Sequence, residues 1–409
     1  MRKLFFILLG LFSFVLATTV NAAAPHKTWT FLIFLNGKNN LDQYGKMNLK
    51  DMEKVGSNDQ VNIVVEWGSY ATGKTVRMLM KKSADSNNIT SPILEDLGSV
   101  DMGSYKTLED FIQWGVQNFP ADHYFIDVWD HGSGWHLQPG NLQAHTKKPT
   151  DISWDDLTGS SISTEQLGVV MKDAQSMIGH KVDIYGSDAC LMGMAEVADE
   201  MSYAVDYFVG SQETEPGKGW PYADLLSAWE SIPNATAEQV AKLLVHAYVK
   251  SYENGSNGNS QVTFSAYNMN ELPTFNAAVA KLGSEIHGLN QTQLSQIMNI
   301  AKSVQTFAYQ DYRDVLDFAN KLMKANIDNV NQQTLLDLQT AILKLVTAHE
   351  STSEYKNANG ISIWLPTSSY EYNAYSKRYD GLRFSVDTQW NDTLRLFFNK
   401  ENLQNSVIA

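Results

Sequence analysis

Short apolar segments alternate with segments of helical spacing over the first half of the chain. Residues 29–35 and 61–67 are rich in branched and aromatic side chains and predict buried strands, with a helix over residues 41–55 between them. Residues 108–119 carry the apolar spacing of a helix that stops before a proline, and residues 123–129 predict the next strand. This succession predicts an α/β fold in which helices flank a mostly parallel central sheet in three layers.

The pattern becomes more helical in the second half of the chain. Further strands are predicted at 76–80, 182–185, 205–210, 261–267 and 360–365, and helices at 237–252, 272–286, 294–307, 313–323 and 335–349. We therefore expect a sheet-based core over residues 23–254 and a mainly helical α/β extension, residues 255–409, packed on that core.

Residues 1–22 have the pattern of a secretory signal peptide. Arg2 and Lys3 precede an apolar run that is too short to span a bilayer comfortably, and Val20-Asn21-Ala22 resembles a cleavage site. We expect a secreted or periplasmic protein whose mature part begins near Ala23 and contains no membrane span.

Charge composition narrows the expected partners. The chain carries 31 Lys and Arg against 45 Asp and Glu, a formal net charge of −14. An acidic protein repels the phosphate backbone, so nucleic acid is not an expected partner, whereas basic peptides or calcium are favoured.

Cys190 is the only cysteine of the chain. Exported proteins usually pair their cysteines, so a lone thiol is either a small buried hydrophobe or a reactive group. A predicted strand precedes Cys190, and apolar residues at helical spacing follow it, which predicts a helix that begins at the thiol. The partial positive charge of a helix N-terminus favours the thiolate, and the Cys190 N–H can help to hold an oxyanion.

The best partner for this thiol lies in "WDHGSGWH", residues 129–136. His131 follows a predicted strand, so we expect it at the same sheet edge as Cys190, where the carboxyl ends of parallel strands form active sites. Gly132 allows a substrate backbone to approach closely and offers its N–H to an oxyanion. The alternative for His131 is a histidine hydrogen-bonded within a turn.

Four segments in chain order resemble the clostripain family of cysteine peptidases: "VWDHGSGW", "ISWDDLTG", "GSDACLMGMAEVADEM" and "EPGKGWPY". The resemblance runs from about Trp29 to Trp390 and implies a caspase-like fold, and His131 precedes Cys190 in the chain as in caspases. It also implies that His131 and Cys190 form a catalytic dyad that cleaves peptides after Arg or Lys. Asp188 matches the acidic residue at the floor of the S1 pocket in that family.

A carboxylate at position 188 also fits physically, because a basic side chain that enters a partly buried pocket needs an opposite charge. The alternative is that Asp188 caps a helix or lies in a turn. Glu213 and Glu215 are the nearest candidates in the sequence for a second carboxylate. Trp220 is a predicted substrate-binding residue that stacks on a guanidinium or an alkyl stem, and its alternative is core packing.

The resemblance further implies maturation by self-cleavage between the histidine and the cysteine. Lys147 or Lys148, in a polar stretch bounded by prolines, is the predicted processing site, and an ordinary solvated loop is the alternative. We expect a monomer after processing, acting on protein or peptide substrates.

The sequence requires no cofactor. Calcium is an expectation of the resemblance alone, with Asp155 and Asp156 as available oxygen ligands but no EF-hand spacing. The histidine spacings match no zinc signature, so no metal site is predicted. The competing hypothesis for the whole protein is a catalytically silent caspase-like scaffold that binds peptides or glycans.

Overall fold

The structure is a computed structural model that describes residues 25–136 and 151–398. Its strands are β1 Lys27–Gly37, β2 Val61–Ser69, β3 Thr75–Leu79, β4 Ile93–Gly98, β5 Ala121–Trp129, β6 Ile152–Asp155, β7 Ser160–Ile162, β8 Val182–Asp188, β9 Val205–Gly210, β10 Glu253–Gly255, β11 Gly258–Asn259, β12 Thr263–Asn268, β13 Tyr312–Asp314, β14 Val346–Ser351 and β15 Ser362–Trp364. The α-helices are α1 Asp42–Glu53, α2 Tyr105–Asn118, α3 Thr164–Ile178, α4 Ala195–Glu200, α5 Tyr222–Glu230, α6 Ala237–Tyr252, α7 Leu272–His287, α8 Gln291–Ala301, α9 Val315–Ala325, α10 Gln332–Leu345, α11 Ser369–Tyr379, α12 Arg383–Thr388 and α13 Trp390–Phe398.

Nine of these strands form one sheet in the order β14-β12-β9-β8-β5-β1-β2-β3-β4. The five central strands, β9 to β2, pair in parallel, whereas the strands added at both edges pair antiparallel. The predicted α/β fold with a mostly parallel centre is therefore confirmed. Parallel strands need crossover connections, and the helices between them cover both faces of the sheet.

Alternate residues of β1 show how the two faces are buried. Phe31 and Ile33 pack in one apolar cluster with residues of α1, α5 and α6, whereas Leu32 and Phe34 pack in a second cluster with residues of α2, α3 and α7. Because side chains alternate along a strand, a run that is apolar at every position indicates burial on both sides. Burial on both faces therefore explains the continuous apolar sequence of residues 31–35.

The part of the chain after residue 255 extends the central sheet as well as supplying helices. The predicted helix over residues 335–349 is correct only as far as Leu345, because Val346–Ser351 continues as β14 and pairs with β12. Apolar spacing cannot separate a helix end from a strand that follows without a break. The domain boundary at residue 254 stays a prediction. Among the described residues, no helix is both long and apolar enough to cross a membrane.

Glu196 ties α4 to the C-terminal part of the chain. One carboxyl oxygen accepts hydrogen bonds from the Trp364 N–H and the Tyr379 hydroxyl, both at 2.8 Å, while the other oxygen is buried and has no hydrogen-bond partner in the part of the chain that the structure describes. Burial raises the pKa of Glu196 to about 7. The folded state therefore holds this carboxyl protonated under conditions in which the unfolded chain ionises it.

This raised pKa predicts a loss of stability with rising pH. The contribution of Glu196 is fully present below the pKa of an unfolded glutamate and is lost as the pH rises to about 7. We expect Glu196→Gln to remove this dependence and to stabilise the protein at pH 8 relative to wild type by on the order of 3 kcal/mol. Urea unfolding at pH 5 and pH 8 measures the free energy of unfolding of both proteins, and Glu354→Gln, at an exposed position, is the control. An equal pH dependence of this free energy in wild type and Glu196→Gln would refute the assignment.

Candidate active site

The register of two neighbouring parallel strands brings His131 and Cys190 together. In the β5–β8 pair, Trp129 lies opposite Asp188, and the Asp130 N–H donates to the Asp188 carbonyl at 3.2 Å. His131 and Cys190 therefore occupy matching positions, each two residues beyond its strand. Both line one cavity of about 180 Å³, whose other lining residues are Leu41, Trp129, Asp130, Asp188, Ala189, Glu215, Pro216, Gly217 and Gly219.

A sharp turn after β8 presents the thiol to this cavity. Leu191, directly after Cys190, has a φ of 63°, which is costly for a branched side chain. Its side chain is buried, and its N–H donates to the Glu213 carbonyl at 3.1 Å, so packing and hydrogen bonding hold the strained residue. The helix α4 begins only at Ala195, which makes the prediction of a helix N-terminus at the thiol wrong.

The surroundings of the thiol favour its protonated form. The Glu215 N–H donates to the Cys190 sulfur at 3.3 Å, and the thiol in turn lies 3.8 Å from the Glu215 carbonyl oxygen. Burial raises the pKa of Cys190 to about 11, and the negative charges of Glu213 and Asp188 act in the same direction. The expected helix effect on the thiolate is absent because α4 starts too far along the chain.

Gly132 packs directly on the Cys190 backbone. A side-chain carbon at position 132 would lie 2.5 Å from the Cys190 carbonyl oxygen, so only glycine fits. Gly132 forms an antiparallel bridge with Ile152. On either side of it, the Ser133 N–H donates to the Asp151 carbonyl and the Ser153 N–H donates to the His131 carbonyl. In such a pair the N–H of the central residue points away from its partner strand. The Gly132 N–H hydrogen-bonds to the thiol and lowers its pKa, which partly opposes the effect of burial.

His131 is oriented by Asn40, a residue that no sequence motif indicates. The His131 Nε2 atom lies 2.7 Å from Asn40 Oδ1, in the loop between β1 and α1. An amide oxygen accepts hydrogen bonds only, so this contact places the proton on Nε2 and leaves Nδ1 available. Burial lowers the pKa of His131, and the negative charge of Asp156 opposes that shift.

Asp130 connects the histidine to the loop that carries Asn40. Its buried carboxylate accepts hydrogen bonds from Asn36 Nδ2 at 3.0 Å and Asn39 Nδ2 at 2.6 Å, as well as from the His131 backbone N–H. The histidine backbone and the Asn40 loop are therefore held by the same buried group. Asn36 lies near the end of β1 and Asn39 lies in the loop that follows, and no pattern in the sequence predicts their role.

Asp188 is buried, and it lines the cavity beside Gly219. The Trp220 N–H and the Tyr222 hydroxyl donate to Asp188 Oδ2 at 3.1 and 2.9 Å. Gly219 has a φ of 61°, and a side-chain carbon there would lie 2.7 Å from Asp188 Oδ1. Glycine thus keeps this oxygen accessible from the cavity.

Trp220 does not line the cavity. Its ring is fully buried and packs against Phe125, Tyr222 and Phe264 on one face of the central sheet. The predicted stacking of this ring on substrate does not fit its position, and the contribution of Trp220 near the cavity is its backbone N–H. The sequence of a glycine-rich loop does not show whether an aromatic residue within it faces solvent or the core.

Glu215 brings a second carboxyl group to the same wall. The residue is partly exposed, but both carboxyl oxygens are buried, and no N–H or hydroxyl of the described residues donates to them. Burial raises the pKa of Glu215 well above its usual range, and the negative charge of Asp188 raises it further. The next largest electrostatic effect on Glu215 comes from Cys190. Glu213, in contrast, is held by the N–H groups of Thr214 and Ala308.

The residues expected to offer calcium ligands do not fit a cation. Asp155 accepts the N–H groups of Met102, Leu157 and Thr158, and Lys38 Nζ lies 4.0 Å from it. Asp156 accepts a hydrogen bond from the Trp154 ring. Within residues 25–136 and 151–398, no group of three or more His, Cys, Asp or Glu side chains is arranged to hold a metal ion. The predicted processing residues, Lys147 and Lys148, lie outside the described residues.

The raised thiol pKa predicts slow alkylation of the free protein. With a pKa of about 11, only on the order of one thiol in 10⁴ is ionised at pH 7. We expect the rate of reaction with iodoacetamide to rise about tenfold per pH unit up to at least pH 9. Because Cys190 is the only cysteine, the intact mass of the protein reports the reaction directly. A rate that is already constant between pH 6 and pH 9 would contradict a neutral thiol.

Comparison with known proteins agrees with this architecture. The clostripain of Hathewaya histolytica is 23% identical over 320 residues, which is 67% of this chain and 59% of that protein, so the chain matches only about three fifths of that relative's length. A secreted C11 cysteine protease from Bacteroides thetaiotaomicron, solved with an irreversible peptide inhibitor, superposes with a TM-score of 0.67 at 18% identity and covers 89% of this chain and 99% of its own.

An inactive zymogen of a C11 protease from Parabacteroides distasonis gives a TM-score of 0.66 at 20% identity and covers 90% of this chain and 99% of its own. These likenesses confirm the caspase-like fold expected from the sequence motifs. The sequence profile of the clostripain family (Peptidase_C11) matches residues 33–397, nearly the whole chain. The chain is therefore a member of the clostripain family.

Proposed function

We propose that this protein is a cysteine endopeptidase that cleaves peptide bonds after Arg or Lys with Cys190 as nucleophile and His131 as acid and base. The observation that carries the proposal is the composition of one cavity. A thiol, an imidazole with an oriented ring, and two buried carboxyl groups all border it, and no Lys or Arg of the described residues forms an ion pair with either carboxyl group. One structural neighbour named above is described as a C11 cysteine protease and another as the zymogen of a C11 protease, which supports the same activity.

The dyad would act by general acid and base catalysis. Because Nε2 of His131 contacts Asn40, Nδ1 is the nitrogen that takes the proton of the Cys190 thiol as the sulfur attacks the carbonyl carbon. The same proton passes to the leaving amine when the peptide bond breaks. His131 then activates the water that hydrolyses the thioester.

The developing negative charge on the carbonyl oxygen needs hydrogen-bond donors near the sulfur. The Gly132 N–H already contacts the thiol, and the Cys190 N–H belongs to the residue that attacks. We assign the oxyanion site to these two N–H groups. Both belong to backbone held at the sheet edge, so they need no rearrangement during the reaction.

The specificity for basic residues would come from Asp188 and Glu215. A guanidinium or ammonium group that enters the cavity donates to the Glu215 oxygens, to which no N–H or hydroxyl of the described residues donates, and so offsets its own loss of water. The test is hydrolysis of matched fluorogenic peptides with Arg, Lys, citrulline or Asp before the cleaved bond. Hydrolysis confined to Arg and Lys, and absent in Cys190→Ala, is the expected result, and equal hydrolysis of the citrulline peptide would refute the specificity.

We further propose that the protein is exported and matures by its own cleavage after Lys147 or Lys148. The N-terminal sequence pattern supports export, and a zymogen among its structural neighbours is compatible with processing. Incubation of pure wild type should yield a cut between residues 136 and 151, whereas Cys190→Ala stays intact and Lys147→Gln with Lys148→Gln is cut elsewhere or not at all. Cutting of wild type and Cys190→Ala to the same extent would exclude self-processing.

A further inference from the structure

Three buried carboxyl groups lie close together, two of them at the cavity and one beside these two, and few hydrogen-bond donors reach them. Asp127 lies two residues before the end of β5, Asp188 is the last residue of β8, and Glu215 lies in the loop after β9. Their carboxyl groups are buried, and within residues 25–136 and 151–398 no Lys, Arg or His forms an ion pair with any of them. Three ionised carboxylates this close together would repel one another strongly in a medium of low dielectric constant.

The hydroxyl group of Tyr222 shows that at least one carboxyl group must be protonated. Its oxygen lies 2.9 Å from Asp127 Oδ2 and 2.9 Å from Asp188 Oδ2. A tyrosine hydroxyl carries one hydrogen and can donate to only one of these oxygens. The other contact is attractive only if that carboxyl group carries a proton and donates it to the tyrosine oxygen.

The contacts of Glu215 also indicate that a carboxyl group of the cluster is protonated. Both of its oxygens are buried without an N–H or hydroxyl donor among the described residues, yet it contacts the Asp188 carboxyl group. Two carboxyl groups in contact form a hydrogen bond only when they share a proton. Burial raises the pKa of Asp188 to about 7 and raises that of Glu215 well above its usual range.

Among the described residues, the other groups around the cluster supply no positive charge that could take the place of a shared proton. Tyr222 of α5 and Tyr248 and Tyr252 of α6 are neutral, and the Tyr252 hydroxyl donates to the Gly219 carbonyl at 2.9 Å. Cys190 lies beside Glu215 as a neutral thiol. His131 borders the same cavity and is the remaining group there that can become positive, so the test must separate it from the cluster.

We propose that the empty pocket holds a proton shared within the Asp188–Glu215 pair, next to Asp127, and that a substrate with a basic side chain displaces this proton to solvent when it binds. The inference rests on the proposed function and adds that recognition of Arg or Lys is an exchange of one positive charge for another. An O–H bond of the cluster breaks, its proton passes to buffer, and the N–H groups of the substrate take over the carboxylate oxygens. No other bond changes at this stage.

Proton exchange makes affinity depend on pH in a specific way. Below the pKa of the cluster, each bound substrate must expel a proton, so the association constant of a basic ligand should rise up to tenfold per pH unit. Above that pKa the dependence should level off. An uncharged ligand of the same shape gains nothing from the exchange and should bind with no such rise.

Calorimetry of the Cys190→Ala protein tests this without turnover. We would titrate a blocked peptide with arginine before the scissile amide, and the same peptide with citrulline, at pH 6 in buffers of different ionisation enthalpy. The slope of binding enthalpy against buffer ionisation enthalpy counts the protons released. We expect close to one proton for the arginine peptide and none for the citrulline peptide.

Two variants assign the released proton. In the Cys190→Ala background, Glu215→Gln should abolish most of the release, whereas His131→Ala should leave it in place, because the proton comes from the carboxyl pair. If Glu215→Gln fails to fold, the number of protons released by the Cys190→Ala protein, whose pocket carboxyl groups are unchanged, still decides the proposal. An arginine peptide that binds without proton release, or no more tightly than the citrulline peptide, overturns it, as does release that disappears with His131→Ala.

Failure of the proton-exchange proposal can be distinguished from failure of the proposed peptidase function. Hydrolysis of an arginine substrate by wild type, dependent on Cys190, supports the peptidase activity whatever the proton count. If the protein cleaves such a substrate but binds the arginine peptide without releasing a proton, the proposed activity stands and only the proposed proton exchange is refuted.

Discussion

Cys190→Ala and His131→Ala are each expected to lower kcat/KM for an arginine peptide by on the order of 10⁴-fold or more. The thiol pKa of about 11 makes the effect of the histidine large, because the free enzyme holds almost no thiolate and the attack needs a base. For the same reason the double variant should be no worse than either single variant, since one residue has no role in covalent catalysis without the other.

The control for this prediction is His180→Ala. His180 is exposed and precedes β8, at the end of the strand opposite Cys190, so its removal should leave kcat/KM unchanged. Circular dichroism of all variants checks that the fold is intact. A His131→Ala protein that keeps more than a tenth of wild-type kcat/KM would show that another group deprotonates the thiol.

Asp188→Asn is expected to lower kcat/KM for arginine and lysine peptides by about 10²- to 10³-fold, which corresponds to the cost of leaving a buried charge without its partner. The asparagine oxygen can still accept hydrogen bonds from the Trp220 N–H and the Tyr222 hydroxyl, so the pocket should keep its shape. Hydrolysis of the citrulline peptide, which we expect to be slow in wild type, should change little. The ratio of the arginine to the citrulline rate therefore isolates the charge of Asp188.

Asp206→Asn is a matched control for this charge. Asp206 lies on β9 and is partly exposed, so its replacement alters the net charge equally without touching the cavity. The specificity assignment would be contradicted if Asp188→Asn and Asp206→Asn had the same small effect on arginine peptides. It would also be contradicted if Asp188→Asn slowed arginine and citrulline peptides in equal proportion.

Much of this site was predictable because it depends on the register of parallel strands. Residues that follow two neighbouring strands meet at one edge, so His131 and Cys190 could be placed together from their strands alone. The family resemblance, together with the need of a basic side chain for an opposite charge, predicted Asp188 as a pocket residue. These predictions needed no knowledge of side-chain conformations.

The remaining features depend on loops and on burial, which sequence patterns do not encode. The helix after Cys190 starts late because Leu191 adopts a left-handed conformation, and the apolar spacing of the following residues fits either arrangement. Asn40 reaches His131 only through the path of the β1–α1 loop. Glu215 and Trp220 lie in one loop, yet the first borders the cavity and the second is buried, and their spacing alone does not distinguish the two.

The most direct test of the account is covalent labelling by a peptidyl acyloxymethyl ketone, whose basic side chain must occupy the acidic pocket while its electrophile meets the thiol. Mass spectrometry of the intact protein and of its peptides would compare an arginine reagent with its norleucine analogue. We predict one adduct, on Cys190, formed at least about 10²-fold faster with the arginine reagent and greatly slowed by Asp188→Asn. Equal rates for the two reagents, or a Cys190 that stays unmodified by either, would contradict the account.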